Sequence, residues 1–187
     1  NIAWAAEGGL SREGVKARLL IGSDLHIQAA IGGNEGRDAD KKLKFAMDTI
    51  YALDPQLDAF CLVGDITDNG NEGQYQHLMA LLNGSHNTGY NAGSGHTKVI
   101  LCQGNHETYT YGVSNARSVF ETQTGQQANK VVDVNGVPVI TMGPIGASDH
   151  SYSANYDFFC NALNDLEDAN APIVMLTHHQ VHGTSYT

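Results

Sequence analysis

Four stretches of this sequence share one pattern, in which a short run of apolar, β-favouring residues stops at carboxylate, amide or imidazole side chains. The stretches are VKARLLIGSDLH, LDAFCLVGD, TKVILCQGNHE and APIVMLTHHQ, and segments with helical spacing lie between them. Strands that alternate with helices predict an α/β layer fold. In such folds, binding sites gather beyond the carboxyl ends of the strands. The pattern therefore predicts a fold class and the place of a functional site.

The helices are predicted from apolar residues that recur at steps of three and four. They span about residues 38–53, 72–82, 113–122 and 155–168. The dipeptide Asn135-Gly136 joins two apolar runs and predicts a two-residue hairpin turn, so at least one sheet contains an antiparallel pair. Residues 83–96 are rich in Gly, Asn and Ser and predict an exposed loop.

Length and composition fit one compact domain over residues 1–187. The chain has 187 residues, of which 41% are hydrophobic, and no internal repeat or linker is evident. Its 20 acidic and 10 basic residues give a formal charge of −10, which disfavours binding of a long nucleic acid. No apolar run approaches the roughly 18 residues of a transmembrane span. The three cysteines lie far apart in the sequence and predict buried thiols.

The polar residues that follow the four predicted strands form the candidate site. In chain order they are Asp24 and His26, Asp65, Asn105 and His106, and His178 and His179. Taken singly, each has a structural explanation as a helix cap, a turn residue or a buried histidine. Because the carboxyl ends of parallel strands lie on one edge of a sheet, the four sets together predict a single cluster.

The side-chain types in this cluster favour metal binding. Carboxylates, imidazoles and an amide, without cysteine, suit divalent manganese, iron or zinc. In the DLH motif one residue separates Asp24 from His26, so on an extended segment both side chains point to the same side and can bind one ion. Asp65 can bridge two ions because a carboxylate has two oxygens. Asn105 offers an oxygen, and His178 a nitrogen, to the second ion.

The order DLH, GDITDNG, GNHE and THH resembles the calcineurin-like metallophosphoesterases. The resemblance covers residues 18–180. The sequence of the GDITDNG motif is most similar to the bacterial branch related to cyclic-nucleotide phosphodiesterases and purple acid phosphatases. It implies a sandwich of two mixed β-sheets flanked by helices. It also implies metal-dependent hydrolysis of small phosphate mono- or diesters, by a phosphatase or a phosphodiesterase that uses a dinuclear metal centre and a bridging hydroxide.

The resemblance implies a role for each motif residue. The implied metal ligands are Asp24, His26 and Asp65 for the first ion and Asp65, Asn105 and His178 for the second. His106 corresponds to the non-ligand catalytic histidine near the leaving group. Asn105 and His106 are expected to contact the substrate, and His179 either faces the substrate or packs against the protein. The two ions would be divalent or trivalent manganese, iron or zinc.

The resemblance breaks near the C-terminus. The family pattern closes with a GHxH motif that supplies one more histidine to each metal, and this sequence ends at Thr187 before such a motif. We therefore expect a C-terminally truncated chain that lacks the last part of the second sheet and one protein ligand for each ion. Its first residue, Asn1, leaves open whether a signal peptide preceded it.

Two alternative functions are compatible with the sequence. One is a catalytically inactive metal-binding or regulatory module of the same fold, and the other is an α/β binding domain without metal. The residues leave the substrate, the metal and the oligomeric state open. Abundant Asn and Gly with few Lys favour export from a bacterium.

Overall fold

The computed structural model describes residues 13–29, 39–53, 57–83, 98–145, 153–168 and 170–179. Its elements in chain order are β1 (Leu19–Gly22), α1 (Ala39–Leu53), β2 (Ala59–Val63), α2 (Glu72–Leu82), β3 (Lys98–Cys102), a 3-10 turn (His106–Thr108), α3 (Gly112–Thr124), β4 (Lys130–Val134), β5 (Val137–Met142), β6 (Pro144–Ile145), β7 (Ser153–Ala154), α4 (Tyr156–Asn164) and β8 (Val174–Thr177). Strands therefore alternate with helices as the sequence predicts.

The strands form two three-stranded sheets and one short pair. The first sheet has the order β1-β2-β3, and both of its pairs are parallel. In the second sheet β5 lies antiparallel to β4 and parallel to β8. The α/β fold with two sheets flanked by helices is thus confirmed, and among the described strands the mixed pairing lies in the second sheet. The short antiparallel pair β6-β7 was not predicted.

Strand β2 lies at the centre of the packing because all five of its residues are buried. Phe60 and Leu62 pack into the cluster that includes apolar residues of α1, α2 and α3. Ala59, Cys61 and Val63 point to the opposite face and pack with residues of the second sheet. This alternation follows from the two-residue period of a strand. The first sheet is therefore covered by helices on one face and by the second sheet on the other.

The outer face of the second sheet is covered by α4. Ile140 and Met142 of β5 form a buried cluster with Ala162 of α4, and Phe158 and Phe159 pack against it. The order of layers is three helices, the parallel sheet, the mixed sheet and α4. No helix in the described part of the chain is both long enough and apolar enough to cross a membrane.

Two of the three predicted buried thiols, Cys61 and Cys102, lie between the sheets, and the prediction is wrong for Cys160 of α4. Cys61 and Cys102 are both buried, Cys160 is partly exposed, and none of the three is in a disulfide. Burial raises the pKa of the Cys61 thiol to about 11 and that of Cys102 to about 12, although the nearby Lys130 opposes both shifts. These thiols therefore act as small apolar side chains of the core.

Most element ends agree with the sequence, and the differences have local causes. The hairpin turn is confirmed, because Asn135 and Gly136 have φ values of 54° and 78°, as a type I′ turn requires. The last helix begins after Asn155, whose side-chain oxygen accepts from the Phe158 N–H at 3.1 Å. It ends at Asn164 instead of residue 168, where consecutive Asn and Asp disfavour continuation. The predicted loop lies outside the described residues from residue 84 onward.

Phe120 of α3 offers a test of the helical layer. Its side chain is fully buried and packs edge-on against Tyr75 of α2, with ring centroids 6.0 Å apart. Phe120→Ala should lower the free energy of unfolding by about 3–5 kcal/mol because it leaves a cavity between the two helices. Urea denaturation measures the change. Thr122→Ala, at an exposed site of the same helix, should change it by less than about 0.5 kcal/mol.

Candidate metal centre

The segments that follow β1, β2 and β3 remain paired beyond the ends of the strands. The N–H of Asp24 donates to Gly64 O at 3.1 Å, and the N–H of His26 donates to Asp65 O at 2.9 Å. Gly64 in turn donates its N–H to Cys102 O at 2.8 Å. The polar motifs therefore lie side by side, as the parallel order of the strands predicts.

The backbone of the site is bent at three of the predicted residues. Asp24, His26 and Asp65 have φ values of 57°, 53° and 48°, and among the described non-glycine residues only Asn135 shares this positive region. Such a conformation costs of the order of 1–3 kcal/mol for each residue and persists where the surrounding contacts hold it. The hydrogen bonds from the Asp24 and His26 N–H groups to the loop after β2 supply those contacts.

The DLH segment is bent at Asp24 and His26 and is not extended. The DLH segment was expected to be extended, with Asp24 and His26 on the same side. A positive φ at both residues is incompatible with an extended strand, and their side chains join different groups. The chain bends at these two residues because their N–H groups donate hydrogen bonds to the loop after β2, at Gly64 O and Asp65 O.

Two glycines allow the loops to approach each other closely. A Cβ atom at Gly64 would overlap the ring of His178, and one at Gly104 would overlap the backbone nitrogen and carboxylate of Asp65. Gly64 also has a φ of 64°, where side chains other than hydrogen are strained. The glycine before each of these polar motifs is therefore needed for the cluster to close.

The first group of ligand-type side chains contains Asp24, Asp65 and His178. One ligand atom from each lies within 4.8 Å of the others. His178 Nε2 is 3.3 Å from Asp65 Oδ2, and its Nδ1 lies 3.3 Å from Val63 O. A histidine that ligates a metal with one nitrogen is commonly oriented in this way through the other. The first sheet supplies the two carboxylates, and the second sheet supplies the imidazole.

The Asp65–His178 contact favours the charged form of both side chains. The hydrogen bond to Asp65 raises the pKa of His178, although burial acts in the opposite direction. Burial would raise the pKa of Asp65, but the hydrogen bonds from His178 and from the His106 N–H, together with the electrostatic attraction of both imidazoles, hold the pKa below its ordinary value. Asp65 is therefore an ionised carboxylate within the cluster.

The second group contains His26, Asp68 and His106, again with ligand atoms within 4.8 Å of one another. His26 Nδ1 lies 3.6 Å from Asp68 Oδ1, and the rings of His26 and His106 meet edge-on with centroids 4.4 Å apart. His106 Nδ1 is 2.7 Å from Asp68 O. Asp68 was not among the ligands expected from the sequence. The feature of the sequence that could have indicated Asp68 is the second Asp of GDITDNG, three residues after Asp65.

Asp65 lies between the two groups. Its Oδ2 is 3.3 Å from His178 Nε2 in the first group and 3.7 Å from His106 Nε2 in the second. In this grouping His26 lies with Asp68 and His106, and its binding to the same ion as Asp24 and Asp65 stays a prediction. All these side chains nevertheless meet at one edge of the fold.

Two further predicted residues lie beside the groups. The amide nitrogen of Asn105 donates to Tyr109 Oη at 2.9 Å, which leaves its Oδ1 as the atom available for a ligand. His179 is partly buried and packs edge-on against His178 with ring centroids 5.3 Å apart. Burial and the neighbouring His178 lower the pKa of His179, so its neutral form is favoured.

Glu107 is a buried residue that the sequence analysis missed. Its carboxylate accepts hydrogen bonds from the N–H groups of Asp65, Thr67 and Gly104 at 2.9, 2.8 and 2.7 Å, and from the Thr67 hydroxyl at 2.8 Å. Burial raises the pKa of Glu107, while the bonds from Thr67 and Gly104 oppose the shift. The signal was the Glu of GNHE, but the sequence does not reveal that this side chain turns inward.

A cavity of about 410 Å³ opens beside the second group. Its lining residues are Asp24, Leu25, His26, Ala39, Lys42 and His106. Three of these belong to the ligand groups, and Ala39 and Lys42 come from the first turn of α1. The site is therefore adjoined by a space that can hold a small molecule.

Two sheets flanked by helices, with carboxylates and imidazoles gathered at the strand ends, are typical of metal-dependent phosphoesterases. A family model for calcineurin-like phosphoesterases matches residues 17–187, and the chain belongs to that family. The resemblance seen in the sequence motifs is thus confirmed. No curated protein matches the chain at a significant level.

Replacement of Glu107 tests its role in holding the loops. Glu107→Gln places an amide NH₂ against N–H donors, so we expect a loss of about 1–3 kcal/mol in the free energy of unfolding without metal. Affinity for manganese should also fall, by about 10–100-fold, because Asp65 loses a fixed position. Urea denaturation and calorimetric titration measure the two effects. The exposed Glu167→Gln is the matched control, and equal results for both variants would contradict this role.

Proposed function

We propose that this protein hydrolyses small phosphate mono- or diesters at a dinuclear metal centre at this cluster, with His106 as a neighbour of the ions and not a ligand. The observation that carries this proposal is the position of Asp65, whose Oδ2 lies 3.3 Å from His178 of one group and 3.7 Å from His106 of the other. Both of these distances are to Oδ2, while Oδ1 accepts from the His106 N–H at 2.9 Å, and a carboxylate that lies between two ions can bind one ion with each oxygen. Membership of the calcineurin-like phosphoesterase family supports the reaction class.

The donor set fits the proposed ions. Carboxylate oxygens and imidazole nitrogens without thiolate suit manganese, iron or zinc. The proposed ligands are Asp24, His26, Asp65, Asn105 and His178, and Asp68 is a further candidate because its carboxylate lies in the second group. Bound there, two cations would neutralise phosphoryl oxygens and lower the pKa of water enough to supply a nucleophile near neutral pH.

His106 is the proposed proton donor to the leaving oxygen. Its Nδ1 is 2.7 Å from Asp68 O, and because a carbonyl oxygen can only accept, Nδ1 carries a proton. The other nitrogen, Nε2, is therefore the atom that faces the substrate, and it donates a proton to the leaving oxygen from the doubly protonated ring, which returns to the neutral form with its proton on Nδ1. The ring of Tyr109 packs against His106 with a centroid distance of 4.3 Å and limits its rotation. His106 is thus held in one orientation, with Nε2 directed away from Asp68 O.

The substrate contacts that we propose come from Asn105, His106 and His179. The first two follow β3 and the third follows β8, so they approach the site from both sheets. Asn105 Oδ1 is oriented through the hydrogen bond of its amide to Tyr109. The neutral form of His179, favoured by burial, can accept or donate a hydrogen bond at a phosphoryl oxygen.

Hydrolysis of an aryl phosphate tests the proposal. Protein stripped with a chelator should be inactive, and reconstitution with manganese, iron or zinc should restore release of the phenol from an aryl mono- or diester. Asp65→Asn should reduce metal uptake and abolish turnover, because the amide lacks the second anionic oxygen. The exposed Asp165→Asn should match the unsubstituted protein in both measurements.

The same experiment distinguishes the alternatives. Uptake of two ions without hydrolysis of either ester class would support the inactive metal-binding module. A melting temperature that is unaffected by manganese, iron, zinc and chelator would support a domain without metal. Either result would overturn the proposed activity.

A second substitution separates proton transfer from metal binding. His106→Ala should lower kcat by about 10²–10⁴-fold, the usual contribution of a general acid, while two ions remain bound. Aryl esters with more acidic phenols need less protonation as they leave, so the loss should shrink as the pKa of the leaving group falls. A loss of one ion from the His106→Ala protein would instead assign His106 to the ligands.

A further inference from the structure

We propose that Lys42 forms an anion-binding subsite beside the metal centre and selects phosphate esters whose organic part carries a second negative charge. This inference rests on the proposed function and adds a substrate class to it. The second charge would be a carboxylate or a further phosphate. The cavity next to the second ligand group is the space in which that part of the substrate would lie.

The cavity is lined by ligand-type side chains on one part of its surface and by residues of α1 and Leu25 on the other. Asp24, His26 and His106 belong to the ligand groups, and a phosphoryl group bound by the proposed ions would face them. Leu25 and Ala39 supply apolar surface, and Lys42 supplies an ammonium group. A volume of about 410 Å³ exceeds what a phosphoryl group needs and leaves room for an organic group against the apolar surface.

The position of Lys42 is fixed by the packing of α1. Ala39 and Leu43 of the same helix are buried in the core that covers the first sheet. Asp40 Oδ2 lies 2.8 Å from His77 Nε2 of α2, which fastens the first turn of α1 to its neighbour. Since the helix is held on this side, the exposed Lys42 is held at the edge of the cavity and only its flexible stem is free to adjust.

Lys42 places an ammonium group at the rim of the cavity. Among the described residues no carboxylate forms an ion pair with Lys42, and Asp40 is engaged by His77. In a protein with a formal charge of −10, an ammonium that has no carboxylate partner among the described residues is a local reversal of sign. An anionic group of the substrate is the partner that this position favours.

A pair of isosteric substrates tests the subsite. 3-Carboxyphenyl phosphate and 3-carbamoylphenyl phosphate differ in one charge and little in shape, and release of inorganic phosphate is measured for each with the manganese-loaded protein. We expect kcat/KM to favour the carboxylate by about 2- to 5-fold, the range of an exposed charge pair. Lys42→Met should bring this ratio close to one, Lys42→Arg should retain most of it, and Lys42→Glu should invert it.

Lys41→Met is the matched control, because Lys41 is exposed on the same helix and does not line the cavity. It should leave the ratio unchanged. High salt should reduce the ratio of the unsubstituted protein, because an exposed charge pair is screened. A ratio near one in the unsubstituted protein would overturn the inference, and so would an equal loss for both substrates in Lys42→Met, which would place Lys42 on the phosphoryl group.

Binding gives a readout that does not depend on hydrolysis. The corresponding 3-carboxyphenyl and 3-carbamoylphenyl phosphonates cannot be hydrolysed, and calorimetry gives their Kd values with the manganese-loaded protein. A preference for the carboxylate that Lys42→Met removes supports the subsite even when no ester is turned over. Turnover of both esters without any such preference overturns the subsite and leaves the proposed hydrolysis intact. Failure of the protein to bind either phosphonate overturns the subsite as well.

Discussion

The hydrogen bonds of the buried Glu107 carboxylate connect the loops that follow β2 and β3. Three backbone N–H groups and one hydroxyl donate to it, and they belong to Asp65, Thr67 and Gly104. The same loops place the carboxylate of Asp65, which has a left-handed backbone conformation, and the ring of His106, which adjoins Glu107. Without a buried acceptor these N–H groups would be unsatisfied, so the geometry of the ligand groups depends on this one side chain.

The fold was largely predictable because its strands and helices have strong local patterns. Ala59–Val63 is a continuous apolar run, as a strand covered on both faces should be. Asn135-Gly136 specified the hairpin, since both residues readily adopt a positive φ. The pair formed by Pro144–Ile145 and Ser153–Ala154 was missed, because two-residue strands carry no periodicity and form only through the contact itself.

The location of the candidate site was also predictable, but its internal arrangement was not. Polar residues after each strand indicate that side chains meet at the sheet edge, and Asp24, Asp65 and His178 do so. Sequence spacing does not show where the backbone bends, so the positive φ of Asp24 and His26 and their separation into two groups were not foreseen. The inward turn of Glu107 and the approach of Asp68 depend on the same loop conformations.

The contribution of both sheets to one group of ligands has a mechanical consequence. Asp24 and Asp65 extend from the parallel sheet, whereas His178 extends from β8 of the mixed sheet. An ion held by all three would join the two halves of the sandwich as a cross-link, and its binding free energy would add to the cohesion of the apolar interface between them. The same metal ion would then serve the proposed hydrolysis and hold the two sheets together.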